Sequence, residues 1–156
     1  MNPCLKKTTK NARIHKEFVI ERNDIANAGT VASTTKRILK LEGFPSHFIK
    51  RVTIGVYEAE INVVIHSYGG TVIFDLNDDH VTLTFEDKGP GIEDIELAKA
   101  AGFSTASSYA IENGFGAGMG LPNIEAVSDE MHLTSSKEGT KLCMRFDIGD
   151  DHVDSE

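Results

Sequence analysis

The chain has no tryptophan, two cysteines and four prolines in 156 residues, and aromatic residues make up 7% of it. Cys4 and Cys143 supply neither the ligand spacing of a zinc site nor the framework of a disulfide-stapled scaffold, so two buried or idle thiols and no disulfide are expected. No apolar run approaches the ~18 residues that a membrane span needs. The polar start Met1-Asn2-Pro3-Cys4-Leu5-Lys6-Lys7 lacks the apolar core of a secretory signal. A cytoplasmic protein with no membrane contact is therefore the expectation. Positive charge is also scarce: 16 basic against 24 acidic residues give a formal charge of −8, which argues against direct nucleic-acid binding. Lys6, Lys7, Lys10 and Arg13 gather near the start and Asp147, Asp150, Asp151, Asp154 and Glu156 near the end, a pattern of solvated termini.

What is present suits one globular domain over 1–156, with a core from about 14 to 148: 40% hydrophobic and 26% charged residues, with no repeat or linker. Alternating apolar positions in Ile14-Lys16-Phe18-Ile20, Val72-Phe74-Leu76, Val81-Leu83-Phe85, Met131-Leu133 and Leu142-Met144-Phe146-Ile148 predict strands with one buried face. Helical patterns fall between them. Asp24 is the expected N-cap of a helix carrying Ile25, Ala28, Ala32, Ile38 and Leu39, which Gly43 closes. A second helix occupies about Ser46 to Tyr68, and a third about Met119 to Asp129. The fold class that follows is α/β (α+β), a two-layer sandwich in which a mixed, mostly antiparallel sheet is covered on one face by helices.

Two glycine turns stand out. Asp87-Lys88-Gly89-Pro90-Gly91 follows a predicted strand, and Gly114, Gly116, Gly118 and Gly120 alternate ahead of Leu121-Pro122-Asn123-Ile124. Turns of this kind bring backbone close to a ligand and leave N–H groups for phosphate oxygens, aided in the second case by a helix N-terminus. Neither matches G-x-x-x-x-G-K-S/T, and the G-x-G-x-x-G register fails because Met119 or Leu121 stands where its third glycine belongs. The third element lies in the long helix. At about 100° per residue Glu58, Asn62 and His66 share an arc of roughly 80°, whereas Glu60 lies about 200° from Asn62. Glu58, and not Glu60, can therefore share a site with Asn62. An amide oxygen suits one place in a Mg²⁺ shell otherwise filled by phosphates and water, and a carboxylate one turn away suits proton abstraction from a nucleophile.

The order of these elements, helical E-x-x-x-N-x-x-x-H, then D-x-G-x-G, then G-x-G-x-G-L before a helix, then Gly139-Thr140 opening a last strand, resembles the GHKL (Bergerat-fold) superfamily of ATP-binding proteins. Within it the chain is most similar to the small bacterial anti-sigma regulatory serine/threonine kinases. Phe103-Ser104-Thr105 and Gly-Ala-Gly-Met-Gly-Leu-Pro-Asn-Ile resemble the switch-kinase branch. The resemblance implies Mg-ATP as ligand, with Glu58 as general base and Asn62 holding Mg²⁺. It implies that Asp87 accepts a hydrogen bond from the adenine amino group, with Gly89, Gly91 and Thr140 completing that pocket, and that His66 faces phosphate. It further implies backbone contacts from Gly116, Gly118, Met119, Gly120 and Leu121 to phosphate, and a lid over about 98–115 that includes Ser104 and Thr105. The partner implied is a STAS-domain anti-sigma antagonist phosphorylated on serine or threonine. A sigma factor is left open as a second partner, a homodimer is left open, and two other readings stand beside the kinase: a module that sequesters sigma with ATP as structural ligand, and a stand-alone histidine-kinase-like ATP-binding domain.

Overall fold

The computed structural model describes residues 12–92, 95–100 and 120–149. The alternating segments form five strands, β1 (Ile14–Glu21), β2 (Gly69–Leu76), β3 (His80–Asp87), β4 (Glu130–Ser136) and β5 (Gly139–Asp147). They make one sheet in the order β1-β2-β3-β5-β4. All four pairings are antiparallel, so the antiparallel majority expected from the alternation is complete among the described residues. The β2–β3 hairpin is turned by Asn77, whose Oδ1 accepts the N–H groups of Asp79 at 2.8 Å and His80 at 2.9 Å, the local bonding for which asparagine is favoured in turns.

Among the described residues four α-helices accompany the sheet: α1 (Thr30–Leu41), α2 (Ser46–His66), the short α3 (Ile95–Ala98) and α4 (Gly120–Val127). Val52, Val56, Ala59 and Val63 recur at helical spacing along α2 and are all buried. They share one core with Val72, Phe74 and Leu76 of β2, Val81, Leu83 and Phe85 of β3, and Leu142, Met144 and Phe146 of β5. Each fully buried side chain of this size contributes about 1.5–3 kcal/mol of transfer free energy. Gly55 lets α2 settle onto β5, since a Cβ there would stand 2.9 Å from Cζ of Phe146 and 3.1 Å from Sδ of Met144.

Two expectations are corrected. Asp24 does not cap a helix: its carboxylate takes the side-chain amide of Asn27 at 2.9 and 3.0 Å, residues Ile25–Asn27 form a 3-10 turn, and α1 begins only after Gly29 at φ 100°. The N–H groups of Val31 and Ala32, in the first turn of α1, go instead to Glu60. Cys143 is disulfide-bonded rather than an idle thiol. It sits at register with Thr84 and His132, outside the helix-facing core cluster, where a bond partner distant in sequence leaves no mark on local spacing.

Arg51 ties α2 to the end of α4. Its Nε and Nη2 donate to the carbonyl of Val127 at 3.1 and 2.9 Å, and Nη2 also reaches Asp129 Oδ2 at 3.1 Å. A cationic fork on a helix's last carbonyl satisfies an orphan acceptor and complements the helix dipole. No helix among the described residues is long and apolar enough to cross a membrane.

Candidate active site

The polar stripe of α2 emerges where periodicity puts it. Glu58, Asn62 and His66 are each partly buried, one turn apart, on the side of α2 that meets the start of α4. Gly120 lies directly over the first two: a Cβ there would stand 3.1 Å from Asn62 Oδ1 and 3.4 Å from Glu58 Oε2. The absence of a side chain at residue 120 lets an amide oxygen and a carboxylate oxygen lie close beside a helix N-terminus, a donor set suited to a hydrated Mg²⁺ shared with phosphate. Among the described residues no cluster of three or more His, Cys, Asp or Glu side chains is arranged to hold a metal by itself, so any Mg²⁺ here depends on ligand oxygens. Asn123 of α4 donates from Nδ2 to Glu58 Oε1 at 3.5 Å, the long end of the hydrogen-bond range.

Burial holds the pKa of His66 below 6.5, so the imidazole is neutral at pH 7.

The other end of the site is built by the sheet. Asp87 ends β3 and Thr140 lies near the start of β5, and the Thr140 N–H donates to Asp87 Oδ1 at 3.0 Å. Burial pushes the Asp87 carboxyl up, with the Thr140 N–H pulling the other way. Ser135 of β4, absent from the sequence expectations, joins them: its Oγ lies 2.8 Å from Thr140 Oγ1 and accepts the Ile92 N–H at 2.7 Å. The alternation carries a signal for Ser135, because it is the next inward position after Met131 and Leu133. A cavity of about 320 Å³ opens at this end, lined by Asp87, Ser135, Gly139 and Thr140 together with Glu86 and Lys141. It does not include Glu58 or Asn62, so the two ends of the site are distinct among the described residues.

The first glycine turn differs from expectation in its hydrogen bonding. The N–H groups of Lys88 and Gly89 donate to the carbonyls of Gly69 at 3.0 Å and Glu138 at 3.2 Å, so they are not held open for phosphate. Gly91, at φ 75°, abuts the β4–β5 hairpin so closely that a Cβ would fall 1.9 Å from the Ser136 carbonyl oxygen. The buried Gly89 N–H in particular has to be paired, and the turn is thereby tied to the junction of α2 and β2 and to the β4–β5 hairpin. Leu121 is 7% exposed and part of the core, which restricts any ligand contact to its main chain. Ser104, Thr105, Gly116, Gly118 and Met119, and the expected lid from residue 101 onward, lie outside the described residues.

Comparison with known proteins agrees with this geometry. The profile of the histidine kinase-like ATPase domain matches residues 22–146. The serine/threonine-protein kinase RsbT of Bacillus subtilis is 30% identical over 112 residues, covering 69% of this chain and 78% of RsbT. An anti-sigma F factor of Clostridium perfringens is 32% identical over 101 residues, covering 60% of this chain and 69% of that protein. In solved structures, the RsbU and RsbW domains of Rv1364c from Mycobacterium tuberculosis superpose with a TM-score of 0.56 at 19% identity, over 84% of this chain and 32% of that one. The SiaB–SiaC complex of Pseudomonas aeruginosa gives 0.51 at 16% identity, over 90% and 92%. At these identities the structural matches speak for the fold alone. With a profile spanning most of its length and a serine/threonine kinase among its relatives, the chain belongs to the histidine kinase-like ATPase domain family.

Proposed function

We propose that the chain is a cytoplasmic protein kinase that transfers the γ-phosphoryl group of Mg-ATP to a serine or threonine of a STAS-type anti-sigma antagonist. The observation that carries this reading is the pair Glu58 and Asn62 brought together beside Gly120, away from the cavity at Asp87 and Thr140. ATP with Mg²⁺ supplies the group to be transferred and the countercharge for its oxygens. Asn62 offers its amide oxygen to the metal. Asp87 keeps one carboxylate oxygen on the Thr140 N–H and turns the other to the exocyclic amino group of adenine. Glu58 takes the proton of the incoming hydroxyl as that oxygen bonds to phosphorus and the bridging P–O bond to ADP breaks. Positioning and charge neutralisation carry most of such a reaction.

A second reading, sequestration of a sigma factor, is supported by the 32% identity to an anti-sigma F factor. It is compatible with kinase activity in one chain. The discriminating experiment incubates the full chain with labelled Mg-ATP and STAS-domain proteins of the same organism, beside a sigma-factor pull-down. Phosphoserine or phosphothreonine on a STAS protein, lost in Glu58→Gln, supports the kinase. Sigma capture without phosphotransfer to any of them overturns it in favour of the binding module.

A further inference from the structure

Glu58 is set by a residue outside its own helix. Its two carboxylate oxygens face different neighbours: Oε1 receives the Asn123 side-chain amide at 3.5 Å, while Oε2 lies toward Gly120, 3.4 Å from where a Cβ of that residue would stand. Gly120 and Asn123 are three residues apart on α4, and Glu58 and Asn62 four apart on α2, so the first turn of α4 lies across the polar stripe in register. We infer that Asn123 is a positioning residue for the catalytic base, fixing the Glu58 carboxylate through Oε1 so that Oε2 is directed at the incoming hydroxyl. This rests on the assignment of Glu58 as base in the kinase reading above.

The residue type fits the task. A lysine or arginine at 123 would neutralise the carboxylate and lower its basicity. An aspartate would repel it. A neutral amide donor restrains the rotamer while leaving the charge intact, and placement to within a fraction of an ångström is what proton transfer from a positioned hydroxyl requires. Asn123 is itself held by rigid surroundings, since its neighbour Ile124 is fully buried and Arg51 grips the far end of α4 at Val127.

The test measures Mg-ATP turnover by the full chain, read as ADP release with water as acceptor, for the native protein, Glu58→Gln, Asn123→Ala, Asn123→Asp and Asn123→Gln. Asn123→Ala is expected to lower kcat about tenfold at unchanged KM for Mg-ATP, short of the ~10²–10⁴ loss on removing a general base. The isosteric Asn123→Asp, which places a like charge beside the carboxylate, lowers kcat at least as far, and Asn123→Gln, which keeps an amide, restores part of kcat. Native kcat in both Asn123→Ala and Asn123→Asp, with Glu58→Gln inactive, would overturn the positioning role alone. Full turnover in Glu58→Gln would overturn the base assignment itself. A crystal structure of Asn123→Ala tests the geometry independently of turnover: the Glu58 carboxylate is expected to leave its present rotamer, and an unmoved carboxylate refutes the inference.

Discussion

The carboxylate of Glu60, buried in the middle of α2, accepts the main-chain N–H of Val31 at 3.0 Å through Oε2. Its other oxygen accepts the Ala32 N–H at 3.1 Å. Glu60 thus caps α1 from a neighbouring helix, 29 residues away in sequence. Glu60→Ala would leave these buried donors orphaned, at a cost of about 2 kcal/mol and a fall in Tm of several degrees, measurable by calorimetry. Burial pushes the Glu60 carboxyl above 4.5, against the pull of the Val31, Ala32, Gly29 and Thr30 N–H groups. The folded state therefore holds this proton to higher pH than the unfolded chain, and the associated stability is lost as pH rises from about 4.5 through the raised value. Relative to Glu60→Gln, the native Tm should decline over that window; a constant difference would contradict the raised pKa.

Asn62→Ala should abolish the Mg²⁺-dependent part of nucleotide affinity, because no metal cluster among the described residues can replace it. Glu58→Gln should bind Mg-ATP normally and lose phosphotransfer by a factor of ~10²–10⁴. Calorimetric titration with and without EDTA, followed by a transfer assay, separates the two effects.

Asp87→Asn keeps an oxygen for the Thr140 N–H and removes the charge from the side facing the adenine amino group. A hydrogen bond to a charged acceptor contributes about 1.5–3 kcal/mol, so ATP affinity should fall tenfold or more, while the binding of GTP, which has a carbonyl in place of that amino donor, stays the same. An equal loss for both nucleotides would remove Asp87 from the adenine-reading role.

His15 of β1 bonds Asp75 through Nδ1 at 2.5 Å and Glu17 through Nε2 at 3.1 Å. The Asp75 hydrogen bond, then that of Glu17, raises the imidazole pKa above 6.5. The protonated form is favoured by folding, so its contribution is complete below pH 6.5 and disappears as pH rises through the raised value. Thermal melts of native protein and His15→Gln should differ most in mild acid and converge in alkali.

The sheet strands and the α2 stripe are legible in the sequence because both depend on local periodicity: Val72, Phe74 and Leu76 alternate, and Glu58, Asn62 and His66 recur each turn. The start of α1 is not. Asp24 has the residue type of a cap, yet the N–H groups are claimed by Glu60, which only the tertiary packing of α2 against α1 can reveal. The first glycine turn does lie beside Asp87 as expected, but its use differs, because sequence shows that a backbone is close to something without showing that the neighbour is the β4–β5 hairpin. The alternation marks Ser135 as an inward position but not its partner, and Asn123 leaves no such mark: each gains its meaning from a residue on another element, Thr140 and Glu58.

The grip of Arg51 on the Val127 carbonyl makes α4 a lever with one fixed end. From that fulcrum to Gly120 the helix runs about 10 Å at 1.5 Å per residue. A pivot of only about 5° around the fulcrum carries Gly120 by roughly 1 Å, enough to open or shut the gap above Asn62. Asn123, nearer the middle of the beam, sweeps about half as far across Glu58. Because Ile124 between Asn123 and Val127 is fully buried, any such tilt is resisted by the core, and the anchored end keeps the smaller displacement on the side of Glu58.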